Sequence, residues 1–99
     1  MDYKVVWSDR SLSNLKEIVQ FIAEDNPFAA ERLGNTIIKR ASLLAQFPKL
    51  GSVFAGLRRD DVREIAAPPY RIIYQILESQ KIISIVTVWH GARKEPEIQ

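Results

Sequence analysis

The chain's one histidine, His90, stands at the exit of an apolar run and opens the tetrapeptide His90-Gly91-Ala92-Arg93. An unperturbed imidazole titrates near neutrality, and beside a glycine the backbone can turn sharply or a ligand can come close. His90 is therefore a candidate general acid or base, although the plainer reading is a ring that hydrogen-bonds the turn and fixes the C-terminal segment. Arg71 lies in Tyr70-Arg71-Ile72-Ile73-Tyr74, where strand alternation puts Arg71, Ile73 and Gln75 on one face and Tyr70, Ile72, Tyr74 and Ile76 on the other. The tyrosine face is expected to meet the helices, leaving Arg71 on an open face. A guanidinium there can pair bidentately with a phosphate or a carboxylate, or be a solvated strand arginine beside an acidic neighbour. Arg93 and Lys94 begin a polar tail, as further contacts or as ordinary surface cations. Arg63 and the Arg58-Arg59 pair flank the entry to the same sheet, where Asp60, Asp61 and Glu64 can neutralise them. The binding candidates are Arg63, Arg71, His90 and Arg93.

These side chains need a scaffold, and 99 residues provide one domain, spanning 1–99, with a modest core. A 46% hydrophobic and 26% charged composition is that of a globular chain and indicates neither disorder nor a fibrous repeat. The absence of cysteine removes disulfides and thiolate chemistry, and a single histidine among scattered carboxylates makes a zinc site a poor expectation, so no metal or cofactor is implied. No apolar run approaches the roughly 20 residues that span a bilayer. The N-terminus lacks a basic region followed by an apolar stretch and a cleavage site, so a cytoplasmic address is the expectation. Each half of the chain carries seven Lys/Arg against six Asp/Glu, for a net charge of +2. Any anion-binding surface must then be assembled by folding.

Tyr3–Trp7 is β-branched and aromatic and predicts a first strand. Ser8 offers an N-cap with Asp9 in the first turn, and Leu12, Leu15, Ile18, Val19 and Ile22 follow at helical spacing. Asn26-Pro27 closes that helix and opens a second, antiparallel one, with Ala30, Leu33, Ile37, Ala41 and Leu44 as its stripe, ending at Phe47-Pro48. Gly34 inside it reads as a close helix crossing or as mere tolerance. Residues 49–61 read as a loop. Val62–Ala66, Tyr70–Leu77 and Ile82–Trp89 are strands joined by short connections, which predicts an antiparallel meander whose last member is central. Trp7 and Trp89 read as packing residues, and Lys16, Glu17, Glu24, Arg32, Lys39 and Arg40 as the outer helix faces. The expected fold class is α+β, a two-layer βααβββ arrangement with a helical hairpin packed on a small antiparallel sheet.

The order of strand, helical hairpin, Phe47-Pro48 with a glycine-bearing loop, Arg63-Glu64, Pro69-Tyr70-Arg71-Ile72-Ile73-Tyr74 and a strand running into His90-Gly91-Ala92-Arg93 resembles the RelE/ParE superfamily of bacterial toxins. The likeness covers nearly the whole chain and is closest to the ParE-type, or plasmid-stabilisation, branch. It implies the toxin of a type II toxin–antitoxin pair, held silent by a cognate antitoxin that wraps it, in a toxin–antitoxin hetero-oligomer. The branch implies DNA gyrase as target; the RelE branch implies ribosome-dependent mRNA cleavage. Cleavage through the 2′-hydroxyl needs a base, a cation on the phosphate and an acid for the 5′-oxygen, roles open to Arg71, His90 and Arg93. The RelE branch typically adds sheet-face cations and a C-terminal tyrosine or glutamate. Here no tyrosine follows His90, and no spacing places Glu64, the one candidate base, beside it. The expectation is thus a non-enzymatic gyrase inhibitor, with the endonuclease as alternative.

Overall fold

A computed structural model describes residues 2–57, 59–93, 96 and 98. Strand β1 (Lys4–Trp7) leads into helices α1 (Asp9–Ala23) and α2 (Pro27–Ser42), then β2 (Ser52–Val53), β3 (Val62–Ala67), β4 (Tyr70–Leu77) and β5 (Ile82–His90). The five strands form one sheet in the order β1-β5-β4-β3-β2. The meander β3-β4-β5 is antiparallel as expected, and β1 does lie beside β5, but it runs parallel to it, so the sheet is mixed. The two-helix connection returns the chain to the far end of the layer before the meander begins, and strands linked through crossovers of that length are free to run parallel.

Helix starts follow local chemistry. The Ser8 hydroxyl accepts from the Ser11 N–H at 3.0 Å, and the Asn26 carboxamide accepts from the Ala29 N–H at 3.0 Å with Pro27 in the first turn of α2. Helix α2 stops at Ser42 and passes into a 3-10 turn, Leu43–Ala45, earlier than Phe47-Pro48. A Cβ on Gly34 would stand 3.2 Å from Val19 Cγ2, so the helices cross closely there. The stripes pack on Ile65, Ile72, Tyr74, Ile76, Ile83, Ile85 and Val88 to form the main core. Leu12 departs from its stripe and is 50% exposed. The six charged helix positions face solvent.

The other sheet face is less open than alternation suggested. Ile73 is fully buried there, with Phe54 and Val62 as companions and Leu57, Val86, Trp89 and Ile98 at their margin. The cover comes from the segment after Pro48, which contributes β2 to the sheet edge and Phe54 to this second cluster. An apolar side chain on each parity of β4 leaves two faces to be shielded, and one helical hairpin can shield only one.

That covering segment is tied down from beneath. The buried Tyr74 hydroxyl donates to the Pro48 carbonyl at 2.7 Å and accepts from the Gly51 N–H at 3.0 Å. Arg63, paired with Tyr74 across β3 and β4 and so on the helix side, donates to the Gly51 carbonyl at 2.8 Å and to the Asp60 carboxylate at 2.7 Å. A Cβ on Gly51 would fall 2.5 Å from the Glu64 carbonyl oxygen, which is backbone and cannot yield. Gly51→Ala is therefore expected to cost about 1–3 kcal/mol in urea unfolding. Arg63→Lys, which keeps the charge and loses the fork, is expected to cost about 1 kcal/mol in the same assay. Tyr74→Phe takes the partner from the buried Gly51 N–H and the partly buried Pro48 carbonyl and is expected to cost about 1–3 kcal/mol. Burial pushes the Tyr74 phenol above its ordinary 10.0, opposed by the Gly51 bond and the Arg63 charge. A phenol that holds its proton more tightly folded than unfolded contributes stability that is complete below the unfolded value and lost as pH rises through the folded one. A pH series of unfolding curves should then show a shallower alkaline loss in Tyr74→Phe than in the wild type.

Candidate functional site

Along β4 and β5 the register steps from Ile73↔Thr87 to Tyr74↔Ile85, which leaves Val86 without a partner on β4. Such a bulge puts two residues opposite one and reverses the alternation beyond it. Ile85 and Val88, three apart, consequently both face the helices, while Val86 and Trp89 join the second cluster. The bulge is held from outside: the Ser8 hydroxyl that caps α1 also donates to the Val86 carbonyl at 3.0 Å.

His90, two residues beyond Val88, follows it to the helix side. It lies opposite Tyr70 in register, and the two rings meet edge to face with centroids 5.2 Å apart at 79°. They border a cleft of about 420 Å³ whose other walls include Arg10, Asn14 and Glu17 of α1 and Arg93. His90 Nδ1 accepts from the Ala92 N–H at 3.1 Å, so the neutral ring carries its proton on Nε2. The imidazole thus fixes the turn into the tail, the plainer of its two expected roles. Asn14, which the sequence did not single out, accepts from the Thr87 hydroxyl at 2.6 Å and the Val88 N–H at 3.1 Å, serving the stretch of β5 that β1 is too short to cover.

Arg71 lies opposite Trp89 and faces the other side of the sheet. There it borders a second cleft, about 480 Å³, with Val53, Glu64, Trp89, Gly91 and Arg93. Arg71 Nη1 donates to Glu64 Oε1 at 2.6 Å, the arginine side chain 46% and the glutamate 17% exposed. The pairing follows from register: Ala66 is opposite Arg71 and Glu64 opposite Ile73, which sets Glu64 and Arg71 on one face as diagonal neighbours. A Cβ on Gly91 would come within 3.4 Å of Arg71 Nε and 3.3 Å of the Pro69 carbonyl, so the glycine lets the chain pass close over the guanidinium. The Trp89 indole N–H is buried with no hydrogen-bond partner among the described residues.

Of the four expected binding residues, then, Arg71 and Arg93 share a cleft, His90 and Arg93 share another on the opposite side, and Arg63 belongs to neither and anchors the covering segment. Arg58 and Lys94 lie outside the described residues. In the loop, Arg59 pairs with Asp61 at 2.6 Å; that bond and one from Gln75 hold the Asp61 carboxyl below its usual range. Among the described residues no group of three or more His, Cys, Asp or Glu side chains is placed to hold a metal ion, and no helix is long and apolar enough to cross a membrane.

Comparison with known proteins agrees with this architecture. Toxin RelE2 of Caulobacter vibrioides is 32% identical over 90 residues, covering 91% of this chain and 97% of the relative. Among solved structures, the chromosomal ParDE system of P. aeruginosa superposes with a TM-score of 0.73 at 16% identity, covering 89% of this chain and 95% of its own. The RelBE2 toxin–antitoxin complex of Mycobacterium tuberculosis gives a TM-score of 0.67 at 20% identity, covering 91% and 99%. At these identities the structures establish the shared fold. Residues 5–95 match the family described as the ParE toxin of the type II toxin-antitoxin system parDE, and with that span and that curated relative the chain belongs to the ParE toxin family within the RelE/ParE superfamily.

Proposed function

We propose that this toxin acts in the cytoplasm by stoichiometric binding to DNA gyrase and is silenced by a cognate antitoxin in a toxin–antitoxin hetero-oligomer. The observation that carries this reading is the separation of the expected trio. A ribonuclease needs a base, an acid and a cation around one phosphate. Here the imidazole and the Arg71 guanidinium lie on opposite faces of the sheet, the imidazole Nδ1 is taken by the turn, and the guanidinium is taken by Glu64. A binder needs only a complementary surface, and the sheet-side cleft offers one with charged rims and an indole wall. The antitoxin partner is supported by the M. tuberculosis neighbour, which is a toxin–antitoxin complex. Among the described residues the outer edge of β1 carries no further strand, and Phe21 and Phe28 are 71% and 80% exposed at the hairpin, so an extended segment and an amphipathic helix each have a place to bind.

Purified toxin is expected to block gyrase supercoiling in proportion to its ratio to enzyme, to leave mRNA intact in a translating extract, and to lose its effect when the antitoxin is added. Cleavage of mRNA with gyrase unaffected would reverse the assignment in favour of the endonuclease. So would a folded His90→Ala protein that has lost toxicity while gyrase stays active.

A further inference from the structure

We infer that Glu64 is a specificity-determining residue that closes the sheet-side cleft to nucleic acid and keeps it as a protein-binding surface. The inference deepens the reading of this cleft as the surface that meets the target. The cleft brings two guanidiniums, Arg71 and Arg93, beside an aromatic wall at Trp89, the combination of cation and ring that single-stranded nucleic acid uses. Its one carboxylate spoils that combination. Glu64 Oε1 sits 2.6 Å from Arg71 Nη1, where a phosphate oxygen would bind.

A phosphate could compete for the hydrogen bond, because an ion pair with a half-exposed arginine is weak. It cannot remove the charge. Glu64 is in the interior of β3, between the paired residues Arg63 and Ile65, with its backbone in register with Ile73, so its carboxylate remains beside any anion that Arg71 binds. Its side chain is also the more buried member of the pair, 17% exposed against 46%, which limits how far it can swing into water. The second cation does not restore the balance for a polyanion: among the described residues, one carboxylate against two guanidiniums leaves a single net positive charge for a ligand that brings a negative charge with every nucleotide. A protein surface carries mixed charge and meets no such penalty, since it can accept from Arg71 or Arg93 and donate to Glu64 at once.

The test is RNA binding by the full-length purified toxin, read as fluorescence anisotropy of a labelled unstructured single-stranded RNA over a salt series. Wild-type toxin is expected to bind weakly, and Glu64→Gln, which keeps the side chain's shape and an acceptor oxygen, to bind about tenfold tighter. The variant's salt dependence should steepen by about one phosphate contact. Adding Arg71→Ala to Glu64→Gln should return affinity to the wild-type level. Arg71→Ala alone, which leaves the Glu64 carboxylate unpaired beside Arg93, should weaken RNA binding below the wild-type level.

Equal RNA affinity for wild type and Glu64→Gln would overturn the inference. So would an unchanged RNA affinity in Glu64→Ala, the variant measured if Glu64→Gln does not fold. Supercoiling inhibition by the wild type is scored separately. If it fails while Glu64→Gln gains RNA binding, the gyrase reading falls and the role of Glu64 stands; the reverse pattern removes Glu64's role and leaves the gyrase reading intact.

Discussion

One unpaired residue in the central strand decides which side of the sheet the C-terminal chemistry faces. With strict alternation from Ile83 and Ile85, Val88 and His90 would fall on the face of Arg71, and Trp89 would turn under the helices. The bulge at Val86 exchanges them. The exchange buries Val88 in the main core, places the indole beside Arg71, and carries the imidazole round to Tyr70. Ser8 couples this to the start of the fold, since one hydroxyl accepts from the first turn of α1 and donates to the Val86 carbonyl. The backbone group freed by the bulge is thus satisfied by the same side chain that starts the helix, and Asn14, two turns on, serves the next free group at Val88.

The second constraint is at the opposite edge. Tyr74 reaches through the core to hold Pro48 and Gly51, and Arg63 holds Gly51 and Asp60 from the same side. Those bonds position β2 and Phe54, which complete the cover over Ile73. The same segment supplies Val53 to the sheet-side cleft. A tyrosine on the helix face therefore shapes a site on the other face, and Arg63 contributes to the site by supporting its wall.

Periodicity made the helices, the β3-β4-β5 meander and the placement of Tyr70, Ile72, Tyr74 and Ile76 legible before any coordinates, because each rests on a local repeat that burial enforces. The cap at Ser8 and the break at Asn26-Pro27 were legible from local side-chain and proline chemistry. The direction of β1 was not, because a four-residue strand carries no mark of its partner's polarity. Nor was the bulge: Ile82–Trp89 is apolar on both parities, so a reversal of alternation leaves the hydrophobic pattern unchanged, and His90 could not be assigned a side. Glu64 was visible only as a possible neutraliser of nearby cations. Its pairing with Arg71 depends on strand register, which follows from the turn at Pro68-Pro69 and not from composition.

Charge and geometry together set what such a surface can do. Acid–base catalysis typically gains a factor of about 10² to 10⁴, and only when the group lies within hydrogen-bond reach of the proton it moves. Here the register puts the imidazole and the Arg71 guanidinium on opposite faces of the sheet. Moving it into reach would require deleting the bulge, which would turn Val88 out of the main core and Trp89 into it. The fold's stability is therefore tied to keeping these groups apart. Binding imposes no equivalent demand: a partner can accept from Arg71 or Arg93 and donate to Glu64 without any group having to move a proton. On the proposed reading, the arrangement that sets the imidazole and Arg71 on opposite faces leaves a mixed-charge surface suited to a protein partner.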